Sequence, residues 1–89
     1  MPIVSMFYGI VVRFYAFDNQ QHQAPHFHAE YSGHKAVFSI PDGDILAGEF
    51  PRNKTKLIQA WIEIHREDLQ ADWDLSVSGS NPMPIEPLK

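Results

Sequence analysis

Two histidines and a glutamate alternate along one short stretch of the sequence, which reads Pro-His-Phe-His-Ala-Glu-Tyr over residues 25–31. Successive side chains of a β-strand point to opposite faces, so a strand here would place His26, His28 and Glu30 on one face. Each would lie roughly 7 Å from the next. The intervening residues are apolar or aromatic and suit a core. The stretch therefore predicts a row of ionisable groups on one face and a hydrophobic contact on the other.

Imidazole groups suit proton transfer near neutral pH, and a second imidazole or a phenol can supply the acid. In a metal-independent, ribonuclease-like reaction, His26 and His28 would act as base and acid. Arg13 would stabilise a phosphate, and Tyr15 or Tyr31 would assist. The predicted catalytic set is therefore His26, His28, Arg13 and Tyr15, while the question of whether the chain is an enzyme stays open.

The same histidines could instead bind a metal. His22, His26 and His28 offer three imidazoles, and Glu30 or His65 is a candidate fourth ligand. Zinc accepts such a set, but no cofactor is required by the sequence. Histidines two residues apart on a straight strand point in parallel, so a shared ion needs a bent strand and a loop that folds back. The alternative to both chemistries is that the histidines are hydrogen-bonded structural residues.

Composition narrows the class of protein. The chain has 89 residues, a formal charge of −4 and no cysteine, which excludes disulfides and thiolate metal sites. Net negative charge disfavours sequence-independent binding to a phosphate backbone but leaves open RNA contact at a local cluster. The nearest such cluster is Arg52, Lys54 and Lys56, for which the alternative is a solvated helix start. The N-terminus lacks the pattern of a signal peptide, and the longest apolar run is too short for a bilayer. We therefore expect a cytoplasmic protein that does not associate with membranes.

The periodicity of apolar residues predicts four strands followed by helices. Alternation indicates strands at 7–17, 26–31, 35–40 and 45–50. After Pro51 the pattern becomes helical over 53–65 and 67–78, with a break after His65. A single straight helix would place Asp68 and Asp72 inside its apolar stripe, which is why the break is needed.

These elements predict an α+β fold, in which an antiparallel meander of three to four strands is covered on one face by the C-terminal helices. Residues 1–79 would form a single domain, and residues 80–89 an extended tail anchored by Ile85 and Leu88. A core this small is barely sufficient, so a homo-oligomer or a partner protein is expected to add stability.

The other face of the sheet, which we call the open face, mixes charged, aromatic and small apolar residues. Such a mixture is typical of a binding surface, although scattered β-forming residues would also produce it. The residues that alternation places there are Arg13, Tyr15, His26, His28, Glu30, Lys35, Val37, Ser39, Ile45, Ala47 and Glu49.

The chain closely resembles the bacterial family known as domain of unknown function 4160. The matching stretches are residues 7–10, 22–31, 48–51 and 85–88, together with Trp61, His65, Leu69 and Trp73. The family commonly reads Asp-His-x-Pro-Pro-His-Phe-His. Here Gln21 replaces the acid and Ala24 the first proline, which leaves the three histidines in place but weakens any role for an acid before His22.

The resemblance implies a partner. Members of the family are often encoded beside another small protein, and such pairs have been proposed as toxin–antitoxin modules. It follows as an expectation that this chain is a protein-binding component of a toxin–antitoxin-like pair. The alternatives are a ribonuclease-like toxin that uses His26 and His28, and a zinc-binding protein that uses His22, His26 and His28.

Overall fold

A computed structural model describes residues 2–17 and 24–89 of the chain. It contains a single antiparallel sheet of five strands in the order β1-β2-β3-β4-β5, followed by two helices. The α+β class and the meander are therefore confirmed. The strands are β1 (Ile3–Phe7), β2 (Ile10–Arg13), β3 (His26–Tyr31), β4 (His34–Ser39) and β5 (Ile45–Gly48), and the helices are α1 (Arg52–Ile64) and α2 (Arg66–Val77).

The sheet has one strand more than expected, because residues 3–7 form a strand that was not predicted. The predicted strand 7–17 is shorter in the structure, where only Ile10–Arg13 pairs as β2. A two-residue turn at Tyr8 and Gly9 separates β1 from β2, and both residues have positive φ, at 51° and 80°. Such angles belong to the hairpin turn whose twist matches that of the flanking strands. Tyr8, expected in the core, is consequently 54% exposed in this turn. The sequence pattern continues across the turn, so alternation alone did not reveal it.

The helices cover the face of the sheet that carries Phe7 and Phe27, as predicted, and Trp73 of α2 also reaches His26 at the start of β3. Trp61 of α1 is fully buried, and its ring lies 5.1 Å from that of Phe7 and 5.8 Å from that of Phe27. The break between the helices falls at His65, as predicted, where the chain leaves α1 and begins α2 one residue later. Neither helix of the described chain is long and apolar enough to cross a bilayer.

The C-terminal tail has no regular secondary structure but packs on the core. Ile85 is buried, and its N–H donates to the carbonyl oxygen of Val4 at 2.8 Å. The indole N–H of Trp61 donates to the carbonyl of Glu86 at 2.9 Å. The expected anchoring by Ile85 and Leu88 is confirmed, since Leu88 also packs against the core. The tail thereby lies against the edge of β1.

A β-bulge in β5 changes which face its residues occupy. Phe38 of β4 is opposite Ile45, whereas the neighbouring Val37 is opposite Ala47, so Leu46 is the extra residue. Ile45 therefore shares the helix-covered face with Phe38, and its expected place on the open face is wrong. Ala47 keeps its predicted place. A bulge adds one residue to one strand, so a strict alternation assigns residues on its far side to the wrong face.

Candidate functional site

The open face carries a row of side chains that crosses every strand. The register places Ile3 beside Arg13, Arg13 beside His28, His28 beside Val37, and Val37 beside Ala47. Residues that are directly opposite in an antiparallel sheet have their side chains on the same face. The row therefore brings together one cation, one imidazole and three apolar groups from five separate strands.

A second row lies beside the first and is joined to it by an ion pair. Met6, Val11, Glu30 and Lys35 are successive neighbours across β1 to β4. Arg13 Nε lies 3.4 Å from Glu30 Oε1, and both side chains are about one-third exposed. This pair connects the rows diagonally and holds the charged groups at the centre of the sheet in defined positions.

A pocket opens between the two rows on the side of β4 and β5. Its volume is about 210 Å³. The ring of Tyr15 lies at one wall, with its centroid 4.3 Å from that of His28 in an edge-to-face arrangement. The residues that line this open-face pocket are Tyr15, His28, Ala29, Glu30, Lys35, Ala36, Val37, Ala47 and Gly48. Neither helix nor the tail contributes to its lining, so it faces away from the core.

His26 has a different environment from His28. Its ring is fully buried, 4.7 Å from the ring of Trp73, and its Nδ1 is 2.8 Å from the carbonyl oxygen of Ala24. This distance indicates that Nδ1 carries a proton and donates it to the carbonyl. The expectation that His26 lies uncovered on the open face is therefore wrong, because Trp73 packs against it.

The predicted catalytic residues are nevertheless brought close together. The rings of His26 and His28 are 5.6 Å apart, Tyr15 contacts His28, and Arg13 is opposite His28 in the register. His28 is half-buried and lines the pocket, whereas His26 is buried and does not line it. The placement favours a structural role for His26, and the catalytic assignment of the set stays a prediction.

The predicted metal ligands are only partly described. His22 lies outside the described residues, and Glu30 is paired with Arg13. His65 lies at the helix junction, with its ring 5.8 Å from that of Trp61. Within residues 2–17 and 24–89 no three His, Asp or Glu side chains are grouped closely enough to hold a metal ion. The zinc site through His22, His26 and His28 therefore stays a prediction.

The open face includes part of the first strand, which alternation of the sequence does not indicate. Ile3 and Met6 are large apolar side chains of β1 that are 43% and 61% exposed, and both belong to the two rows. Residues 3–7 do not alternate cleanly because a bulge between Ile3 and Ser5 shifts their parity. The signal that could have indicated this strand is the pair Tyr8-Gly9, which suits a hairpin turn between two apolar runs.

The comparisons with known proteins give one match. A family model described as Domain of unknown function (DUF4160) matches residues 9–74. Since this match covers more than half of the chain, the chain belongs to the DUF4160 family, and the resemblance inferred from the sequence is confirmed. The comparisons with curated proteins and with solved structures found no match.

Proposed function

We propose that this member of the DUF4160 family is a protein-binding component of a toxin–antitoxin-like pair, and that it binds its partner with the open face of the sheet. The main support for the proposal is the open-face pocket, whose lining combines the apolar Val37 and Ala47 with Tyr15, His28 and Glu30. Neither helix nor the tail lines it. The partner is expected to be the small co-encoded protein that the family resemblance implies.

The distribution of exposed apolar side chains supports this surface. Ile3 and Met6 lie on the open face, and Leu46 is the extra residue of the β5 bulge at its border, each more than 40% exposed. An apolar centre ringed by aromatic, imidazole and charged groups resembles the composition of protein interfaces. A volume of about 210 Å³ suits one inserted side chain rather than a large cofactor. We therefore expect one apolar side chain of the partner to occupy the pocket.

Isothermal titration calorimetry with the purified co-encoded protein tests the proposal. The native chain is expected to bind it with a dissociation constant in the micromolar range or below. Val37→Arg would fill the pocket with a charged side chain and is expected to weaken binding at least about tenfold, which corresponds to about 1.4 kcal/mol.

Ile64→Arg is the matched control. Ile64 is a β-branched residue, 66% exposed at the end of α1 and remote from the pocket lining. The Ile64→Arg variant should bind the partner like the native chain. Circular dichroism should show that Val37→Arg and Ile64→Arg are both folded. The proposal is abandoned if the native chain shows no binding at micromolar concentrations, or if Val37→Arg binds as tightly as Ile64→Arg.

A ribonuclease-like activity is the second proposal. The observation in its favour is the 5.6 Å separation between the rings of His26 and His28, with Arg13 and Tyr15 beside them. Full burial of His26 counts against a direct contact with RNA. Expression of the native chain should then arrest growth, and His28→Ala should relieve the arrest. Growth at the normal rate with the native chain would leave the activity without support.

The zinc alternative has a direct test. If His22 folds back toward His26 and His28, the purified chain should contain close to one zinc ion per molecule, and His28→Ala should lose it. A zinc content below about a tenth of an ion per chain would contradict the proposed zinc site.

A further inference from the structure

The two edges of the sheet differ in what covers them. At the β1 edge the tail approaches closely enough for Ile85 N–H to donate to the carbonyl of Val4. At the other edge, β5 is the last strand in the sheet order, and all four of its residues, Ile45–Gly48, are exposed. No strand of the described chain lies beyond it. Of the two edges of the described sheet, the β5 edge is therefore the more accessible to another chain.

The hydrogen-bond pattern shows which backbone groups of β5 face outward. The N–H of Ser39 donates to the carbonyl oxygen of Asp44, and the N–H of Glu49 donates to the carbonyl oxygen of Lys35. Asp44 and Glu49, which flank β5, are therefore hydrogen-bonded to the β4 side. In an antiparallel ladder, a residue pair flanked by such bonds is non-hydrogen-bonded and points its own N–H and C=O away from the partner strand, and these bonds flank the pairs Phe38–Ile45 and Ala36–Gly48. Ile45 and Gly48 consequently direct their N–H and C=O groups toward the open edge. These four groups form the hydrogen-bonding template of an edge strand.

The acidic residues that flank β5 favour pairing with a strand of a particular charge. Asp42 and Asp44 precede β5 and Glu49 follows it, and all three are exposed, with no ion pair in the described chain. In a second copy of this chain paired antiparallel about the centre of β5, Asp44 would lie opposite the Glu49 of the other copy. Like charges directly opposite each other are destabilising, so self-pairing at this edge is disfavoured. A strand with lysine or arginine at its ends is favoured instead.

We infer that the β5 edge binds an extended, apolar strand of the partner protein that is flanked by basic residues. This inference rests on the proposed function and specifies the partner's binding element. Ala47 and Gly48 line the open-face pocket as well as the edge, so a strand bound at β5 would place its side chains at the mouth of the pocket. Strand addition supplies affinity through the main chain, and the pocket supplies specificity through one side chain.

Replacing Ile45 with proline tests the inference. Proline removes the outward-pointing N–H of residue 45 without removing a bond to β4, and prolines are accepted on the solvent side of edge strands. Calorimetric titration with the co-encoded protein is expected to show at least about tenfold weaker binding for Ile45→Pro than for Ile45→Ala, the control that loses the side chain but keeps the N–H. Thermal melting should show that both variants are folded.

A charge reversal tests whether the partner strand is flanked by basic residues. The double variant Asp44→Lys/Glu49→Lys is expected to bind at least about tenfold more weakly at low salt, and the loss should shrink as salt is added. The control, Glu67→Lys/Asp74→Lys, places the same charge change on exposed positions of α2 and should bind like the native chain.

The outcomes separate the two proposals. If Val37→Arg weakens binding while Ile45→Pro and Ile45→Ala bind with the same affinity, strand addition at β5 is wrong, but the proposed binding function is still supported. If the native chain does not bind the co-encoded protein, both are wrong. A dimer of the native chain, seen by sedimentation and lost in Ile45→Pro, would also overturn the inference, because the strand at β5 would then come from a second copy.

Discussion

The carboxylate of Asp72 fastens the C-terminal tail to α2, because its Oδ1 accepts a hydrogen bond from the N–H of Met83 at 2.8 Å. Asp72 is buried, and its second oxygen, Oδ2, has no hydrogen-bond partner in the described structure. Burial raises the pKa of Asp72 above its ordinary value of 3.8, and repulsion from Asp68 adds to this, while the bond from Met83 acts in the opposite direction. The burial of this carboxylate therefore makes the stability of the fold depend on pH.

The first prediction concerns this pH dependence. In the unfolded chain the pKa of Asp72 returns to about 3.8, so between that value and the raised pKa the folded state holds a proton that the unfolded state has lost. The contribution of this group to the free energy of unfolding is therefore fully present below pH 3.8 and is lost as pH rises through the folded pKa. Asp72→Asn keeps an acceptor for Met83 but does not titrate. Its stability relative to the native chain should increase as pH rises through that window.

Urea unfolding followed by tryptophan fluorescence at several pH values would measure the effect. Asp68→Asn is the control, since it removes the repelling charge at an exposed position and should reduce the pH dependence without abolishing it. A stability difference between Asp72→Asn and the native chain that is constant with pH would contradict the assignment.

The second prediction is that the tail contributes to stability through Ile85. Ile85 is buried against the core, and Ile85→Ala should lower the free energy of unfolding by about 2–5 kcal/mol. Met83 lies in the same tail but its side chain is 64% exposed, so Met83→Ala should change the free energy by less than about 0.5 kcal/mol. Denaturant titration of both variants would measure this. Equal effects would show that the tail does not pack on the core through Ile85.

Much of the fold could be predicted from the sequence because apolar periodicity is regular over β3, β4 and both helices. The break at His65 was predictable because a straight helix would have buried acidic residues. Asp72 is buried nevertheless, and it is accepted there because the tail supplies an N–H. That contact joins two segments eleven residues apart, and no local pattern encodes it.

The candidate site was predictable only in part, for a related reason. Residue parity placed Arg13, His28 and Val37 on the open face, where the structure has them in one row. Parity also placed His26 there, but whether a side chain on that face is covered depends on Trp73, a residue distant in sequence. The bulges in β1 and β5 shift parity by one, and alternation reveals neither; Gly48 is the sequence sign of the irregularity in β5.

The third prediction compares two glycines with nearly the same backbone. Gly48 and Gly33 both have positive φ, at 83° and 86°. A Cβ at Gly33 would meet nothing within 4 Å, whereas a Cβ at Gly48 would collide with the backbone carbonyl of Lys35. Gly33→Ala should therefore lower the free energy of unfolding by about 1–2 kcal/mol, from backbone strain alone. Gly48→Ala should lower the free energy of unfolding by roughly 1–3 kcal/mol more than Gly33→Ala does, because β4 and β5 must move apart.

Chemical denaturation of the two alanine variants isolates the steric contribution, because the backbone strain is common to both. A difference below about 0.5 kcal/mol would show that β5 does not lie as close to Lys35 as the structure indicates. Gly48→Ala should also alter the open-face pocket, since Gly48 lines it.

The fourth prediction separates the two histidines of the motif. His26 is fully buried, contacts Trp73 and is bonded to the carbonyl of Ala24, so His26→Ala leaves a cavity and an unpaired carbonyl. We expect the free energy of unfolding to fall by about 2–4 kcal/mol. His28 is half-buried at the pocket, and His28→Ala should lower it by less than about 1 kcal/mol. If the proposed function is right, His28→Ala should instead weaken binding of the proposed partner protein, because it removes one lining side chain of the pocket.

His26→Asn sharpens this comparison, since an asparagine amide can take the place of the Nδ1–H donor and should recover part of the stability lost in His26→Ala. Urea unfolding and calorimetric titration of all three variants give the two readouts separately. If His26→Ala is as stable as the native chain but loses partner binding or toxicity, then His26 acts in the function of the protein rather than in its core. If His28→Ala instead unfolds the chain, the division of roles between the two residues is reversed.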